Sequence, residues 1–227
     1  MSPPLRPFAP YLLLAACVTG IYASQPAPVA PTAPAVPEIV DSPPLPPPMP
    51  TFAFPVSMAL CPTLNVANAP PSDASLHIIG YTALIEVNAA VMLARAPVEQ
   101  ACISSGFGAR NSQTHTGIDY YNPARVSIYA AGDGIVREAV TRADFGNMLV
   151  IDHGHGVFTR YAHLDNFDGM EVGAAVLSGQ VIGVMGNTAA TPIPRHLHYE
   201  ILTGDWGDLA GSFALTPIDP LAFMEQN

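Results

Sequence analysis

The chain has 227 residues, enough for one ordinary domain with appendages. A formal net charge of -10, with 8 Lys plus Arg and no basic run, excludes the electrostatic footprint of a nucleic-acid binder. The 25 prolines crowd between Ser2 and Pro55 and are occasional beyond Gly106, which separates an extended region from a foldable one.

Residues 1–24 read as an export signal. Arg6 precedes the apolar run Tyr11-Leu-Leu-Leu-Ala-Ala-Cys17, and small residues follow. The run is too short for a membrane-spanning helix, which needs roughly 20 residues. Leu14-Ala-Ala-Cys17 resembles the lipobox of bacterial lipoproteins, in which the cysteine carries the lipid. Val18, rather than an aspartate, favours outer-membrane sorting and hence display on the periplasmic side of the cell envelope. The alternatives are ordinary cleavage after Ala23 and an uncleaved anchor. Residues 25–56 are rich in Pro, Ala and Val, lack donors for helix or sheet, and favour polyproline II. They predict a disordered, stiff tether; a proline-rich ligand for a partner domain is the second reading.

With Cys17 lipidated, Cys61 and Cys102 remain, an even pair and a disulfide candidate in an oxidising compartment. Two unpaired thiols are the alternative. Residues 57–101 predict a β extension of the following domain, either widening its sheet or packing over its groove. Ile78–Val87 and Val91–Arg95 alternate around Asn88 and predict a hairpin that extends the sheet. From 102 to 227, short runs at 127–131, 134–140, 147–152, 156–164, 180–185 and 196–202 are separated by Gly/Asp/Asn turns. No long helical period is present. The expected fold is all-β, a compact antiparallel sheet domain with 147–152 as a central strand.

Six of the seven histidines lie between His115 and His198. His115-Thr-Gly-Ile-Asp119 and His196-Leu-His198 supply three candidate metal ligands and a spare imidazole. Two imidazoles and a carboxylate hold zinc while leaving a position open for water. Strand parity puts His196 and His198 on one face, and His115 and Asp119 on one face as well. Gly117 disfavours the helical alternative. Parity along Val157–Leu164 groups His163 with Val157, Thr159 and Tyr161, either as a core histidine or as a cleft residue. His153 and His155 read as structural and exposed, respectively.

The ordered set extends further: Gly106-Phe-Gly-Ala-Arg110, Ala130-Ala-Gly-Asp-Gly-Ile-Val136, Phe145–His153, Tyr161-Ala-His-Leu164, Gly179-Gln-Val-Ile-Gly183 and His196-Leu-His-Tyr-Glu200. With these pieces, residues 105 to about 221 resemble the lysostaphin-type (LytM-domain) zinc metallopeptidases, which are peptidoglycan endopeptidases. The resemblance implies that His115, Asp119 and His198 bind one Zn2+ and that His196 and His163 are the two non-ligand catalytic histidines. It also implies a groove on an antiparallel sheet and stem peptides of peptidoglycan as substrate. Zinc lowers the pKa of water to about 7, and a neutral imidazole beside it acts as general base. Some LytM-domain proteins lack metal ligands and bind the wall or activate amidases; the intact ligand positions favour an enzyme. The loop Gly186–Arg195 departs from the family pattern at Ala189, Pro192 and Pro194, which bears on groove shape.

Overall fold

The computed structural model describes residues 52–110, 113–167, 169–207 and 210–222. The expected export signal, Cys17 and the expected tether as far as residue 51 lie outside the described residues. Within them the fold is all-β, as expected, apart from one 3-10 turn at Ser212–Ala214.

In chain order the strands are β1 Leu84–Asn88, β2 Val91–Ala94, β3 Cys102–Ser105, β4 Gly108–Arg110, β5 Gln113–His115, β6 Ile118–Tyr121 and β7 Ser127–Tyr129. They continue with β8 Gly134–Arg142, β9 Gly146–Asp152, β10 Val157–Asn166, β11 Ala175–Val176, β12 Val181–Met185, β13 His196–Thr203 and β14 Thr216–Ile218. The main sheet runs β11-β8-β9-β10-β13-β6-β3, with β12 joining β10 to β7 and β14 beside β13. The apolar run Met148–Ile151 is central, as its composition predicts: β9 lies between β8 and β10, and both its faces are covered.

Two cores divide the faces. Leu149, Ile151, Tyr161, Leu197, Tyr199 and Ile201 point into the large core, where the three-tyrosine group with Tyr120 is fully buried. Met148, Val150, Phe158, Ala162 and Leu202 point the other way, into a smaller cluster closed by Leu215 with Phe145 and Trp206 against it. This second face also carries the polar half of β13.

The structure corrects the hairpin expectation. Ile78 belongs to a different pairing, bridging Ser72, and a turn follows at Tyr81, whose N–H bonds the Ile78 carbonyl. The strand therefore starts only at Leu84. β1 and β2 form their own two-stranded sheet rather than extending the main one. The Asn88 side chain closes the turn by accepting from the N–H groups of Ala90 and Val91. Ile85, Val91 and Leu93 fill the large core, and the Ala94 N–H bonds the Ala131 carbonyl, so the hairpin is tied to the domain without joining the sheet. The earlier part of the extension lies along β3, where Leu60 and Ala67 make isolated bridges to Ile103 and Ser105.

Cys61 and Cys102 are joined by a disulfide across 41 positions of sequence. It fastens the extension to β3, next to the strand that carries Asp119. Closing a loop of this length in the unfolded chain is worth about 4 kcal/mol in the chain-entropy model. Cys61→Ala/Cys102→Ala should lower unfolding free energy by up to that amount in urea titrations, with amide exchange rising first in residues 57–80.

Candidate metal centre

Two of the candidate ligands meet through strand register. β6 and β13 are antiparallel, and His198 lies directly opposite Asp119. Opposed residues share a face and have neighbouring side chains. His115 arrives differently from the expectation of one continuous strand. It ends β5, which pairs with β4, whereas Asp119 lies on β6 of the main sheet. The chain bends between them at Thr116-Gly117. A side chain at Gly117 would meet the Tyr199 carbonyl at 2.3 Å, so only glycine lets this bend lie against β13.

The resulting triangle is tight. His115 Nε2 lies 3.0 Å from Asp119 Oδ1 and 3.0 Å from His198 Nδ1, and His198 Nδ1 lies 2.9 Å from Asp119 Oδ1. All three residues are buried. Tetrahedral zinc with ligand bonds of about 2.0–2.1 Å spaces its donors about 3.3 Å apart, close to these edges.

The outer contacts explain why the triangle favours a cation. His115 Nδ1 faces the Gly106 carbonyl at 2.7 Å, and a carbonyl only accepts, so that nitrogen carries the proton and Nε2 is bare. His198 Nε2 faces Glu200 Oε1 at 2.8 Å, which leaves Nδ1 bare in the neutral ring. Arg110 donates to Asp119 Oδ2 at 3.1 Å and leaves Oδ1 to the triangle. Two lone pairs and a carboxylate oxygen thus converge about a single point. Only a proton or a metal ion relieves that convergence, and the donor set suits zinc.

The electrostatics agree. Burial raises the pKa of Asp119, but the His115 and His198 imidazoles facing its Oδ1 outweigh it and hold the carboxyl well below its usual range. Burial opposes charge on His198, yet Asp119 and Glu200 prevail and raise it to about 9. The same field that attracts a proton there attracts a dication.

Glu200 is the functional residue that the sequence reading passed over, although its signal was present: His196, His198 and Glu200 alternate on one strand. It is fully buried and accepts from Thr116 Oγ1 at 2.6 Å as well as from His198. Arg160, its partner in register, holds its other oxygen at 2.6 Å and also donates to the Ser212 carbonyl. Nothing in the local sequence marks Arg160; it is found only through the β10–β13 register.

His163 and His196 flank the triangle. Their rings lie 4.7 Å apart, and His163 lies 6.1 Å from His198. His196 Nε2 is 3.8 Å from Asp119 Oδ1. Parity would have sent His163 with Tyr161 into the large core. A bulge between Tyr161 and Leu164 intervenes, with His163 at φ 60°, and turns its ring onto the metal face. Leu164 takes the core position instead. Tyr161 is therefore not a site residue. Its hydroxyl bonds Thr159 and the Ala131 N–H on the opposite face. Burial, reinforced by His196, lowers the His163 pKa to about 4, and burial likewise lowers His196. Both rings are therefore neutral at neutral pH. His153 bonds the Asp133 carbonyl and Thr159, away from the triangle, and His155 is exposed in its turn.

Residues 113–208 match the model of the family described as Peptidase family M23. The chain is 39% identical over 110 residues to the DD-carboxypeptidase/endopeptidase Mpg of Neisseria meningitidis serogroup B, covering 46% of this chain and 25% of that protein. It is 36% identical over 115 residues to the peptidoglycan DD-endopeptidase ShyC of Vibrio cholerae, covering 48% and 26%. The match thus spans about a quarter of each curated relative's length. The crystal structure of a zinc containing peptidase from Vibrio cholerae superposes with a TM-score of 0.50 at 30% identity, covering 58% of this chain and 40% of that one.

Glu200→Gln should weaken zinc affinity by about 10- to 100-fold in chelator competition, because the His198 ring loses its charged partner. The same variant leaves Arg160 without its counter-ion and should cost about 3 kcal/mol of stability in urea. Because His198 is protonated below about pH 9 until metal displaces that proton, zinc affinity should rise with pH up to that value. Titration calorimetry at pH 7 in buffers of different ionisation enthalpy should show about one proton released per zinc.

Proposed function

We propose that the chain, whose residues 113–208 match the model of peptidase family M23, is an exported zinc endopeptidase hydrolysing peptide cross-links of bacterial peptidoglycan. The observation that carries the reading is the triangle of His115, Asp119 and His198 with two further neutral imidazoles beside it. A closed structural site has no use for spare imidazoles, whereas hydrolysis needs a base next to the metal.

His115, Asp119 and His198 would hold the zinc, which when bound supplies Lewis acidity and acidifies water. His196 takes the proton of the attacking water and returns it to the leaving amine. Its Nδ1 donates to the Pro194 carbonyl at 2.8 Å, so Nε2 is the free base, and that nitrogen faces Asp119. Low proton affinity from burial keeps it available near neutral pH. His163 is the second non-ligand imidazole of the reaction. Arg110 restrains Asp119 to one oxygen, and Glu200 fixes the His198 ring.

The substrate assignment draws on the relatives: those matched over this domain are named as a DD-carboxypeptidase/endopeptidase and a peptidoglycan DD-endopeptidase. Location draws on the sequence: Leu14–Cys17 as a lipobox and the proline tether would display the domain on the periplasmic side of the envelope, anchored at Cys17. The Cys61–Cys102 disulfide suits an oxidising compartment.

The test compares two variants on purified peptidoglycan, with released fragments identified by mass spectrometry. His198→Ala should lose most bound zinc and all hydrolysis. His196→Ala should keep about one zinc per chain and lose hydrolysis by at least about 100-fold. Full activity in His196→Ala would remove its role as base. Wall binding without hydrolysis by the wild-type, zinc-loaded chain would instead support the non-catalytic activator reading.

A further inference from the structure

The loop Gly186–Arg195, which departs from the family pattern in its prolines, touches both non-ligand histidines through backbone carbonyls. His163 Nδ1 faces the Thr188 carbonyl at 2.8 Å, and His196 Nδ1 faces the Pro194 carbonyl at 2.8 Å. A carbonyl oxygen only accepts, so both Nδ1 atoms carry the proton and both Nε2 atoms are bare in the neutral rings.

The loop itself is firmly held. The His196 N–H bonds the Gly186 carbonyl at its base, and Arg195 donates to the Met185 carbonyl. The Ala190 N–H bonds the Ala143 carbonyl across the β8–β9 turn. Thr188 is the clasp. Its hydroxyl donates to the Leu164 carbonyl at 2.8 Å and accepts from the Asn147 N–H at 2.9 Å. A side chain at Gly146 would meet the Thr188 carbonyl at 2.0 Å, and Gly146 has φ 59°, so glycine is what admits the clasp. The His163 N–H bonds the Phe145 carbonyl. One threonine thereby ties together the loop, the start of β9 and the bulge of β10.

We propose that Thr188 is a positioning residue that locks His163 as a hydrogen-bond acceptor, so that His163 orients the attacking water rather than donating to the developing oxyanion. The chemistry follows from the lock. A neutral ring whose proton is committed to Thr188 has none to offer an oxyanion, whereas its bare Nε2 accepts from a water proton. With His196 locked in the same tautomer, both non-ligand imidazoles present acceptors, and neither donates to the oxyanion. This assignment rests on the reading of the site as hydrolytic, but the lock itself does not.

The experiment separates the two. Long-range 15N–1H correlation spectra of the zinc-loaded full chain report the tautomer of each imidazole directly. His163 should appear protonated at Nδ1 in the wild type and in Thr188→Ser, which keeps the hydroxyl. In Thr188→Val, which has the shape but not the hydroxyl, His163 should shift to a mixture of tautomers while His196 is unchanged. In hydrolysis of peptidoglycan, Thr188→Val should lower kcat by about tenfold or more with KM within about twofold and zinc content unchanged, and Thr188→Ser should restore it. A wild-type His163 protonated at Nε2 overturns the proposal, as does a Thr188→Val chain with wild-type tautomers and kcat. The expected tautomers in a zinc-loaded chain that hydrolyses nothing would uphold the lock and overturn the hydrolytic reading instead.

Discussion

Three acceptor atoms held about 3 Å apart in a buried place are unstable without positive charge among them. Every neighbouring contact sharpens that condition. The Gly106 carbonyl and the Glu200 carboxylate draw the ring protons of His115 and His198 outward, and Arg110 withdraws one oxygen of Asp119. What remains faces inward as lone pairs. A proton on His198 satisfies part of the demand, which is why its affinity is raised, and a dication satisfies all of it. Burying Glu200 beside such a site costs desolvation, offset by Arg160, Thr116 and His198 together. Removing any one of these leaves a buried charge short of partners, so the centre and the fold around it are coupled.

The sheet has to serve that centre while also burying a large apolar core. β13 does both by alternation: Leu197, Tyr199 and Ile201 go to the core, His198 and Glu200 to the metal face. β10 cannot do so by alternation alone, since Tyr161 and Leu164 both belong to the core. The bulge at His163 resolves the conflict by inserting a residue, and it turns an imidazole toward the site in the same step. Beyond the bulge β10 exchanges β13 for β12 as its partner, which opens the place where the Gly186–Arg195 loop enters. The change of strand partner, the bulge and the histidine orientation are therefore one structural event.

The N-terminal extension has a supporting part in this arrangement. Its residues around Ala67 bond Gly106, whose carbonyl holds His115, and the disulfide secures the same edge through Cys102. The edge of the sheet that carries Asp119 is thereby covered rather than left to fray.

The sequence by itself determined the all-β class, the central place of Met148–Ile151, Cys61 and Cys102 as a candidate pair, and a donor set suited to zinc. Each depends on residue type, alternation or order along the chain, which are local and readable. Parity also grouped His196 with His198, and would have reached Glu200 had it been carried two residues further. Only the tertiary structure decided how His115 meets Asp119, why His163 leaves the core, and which nitrogen of each ring is bare. Those outcomes depend on a bend admitted by Gly117, a bulge that breaks alternation, and carbonyls contributed by Gly106, Thr188 and Pro194. A carbonyl is present at every position and so leaves no trace in residue identity; where it points is set by pairing register and loop closure.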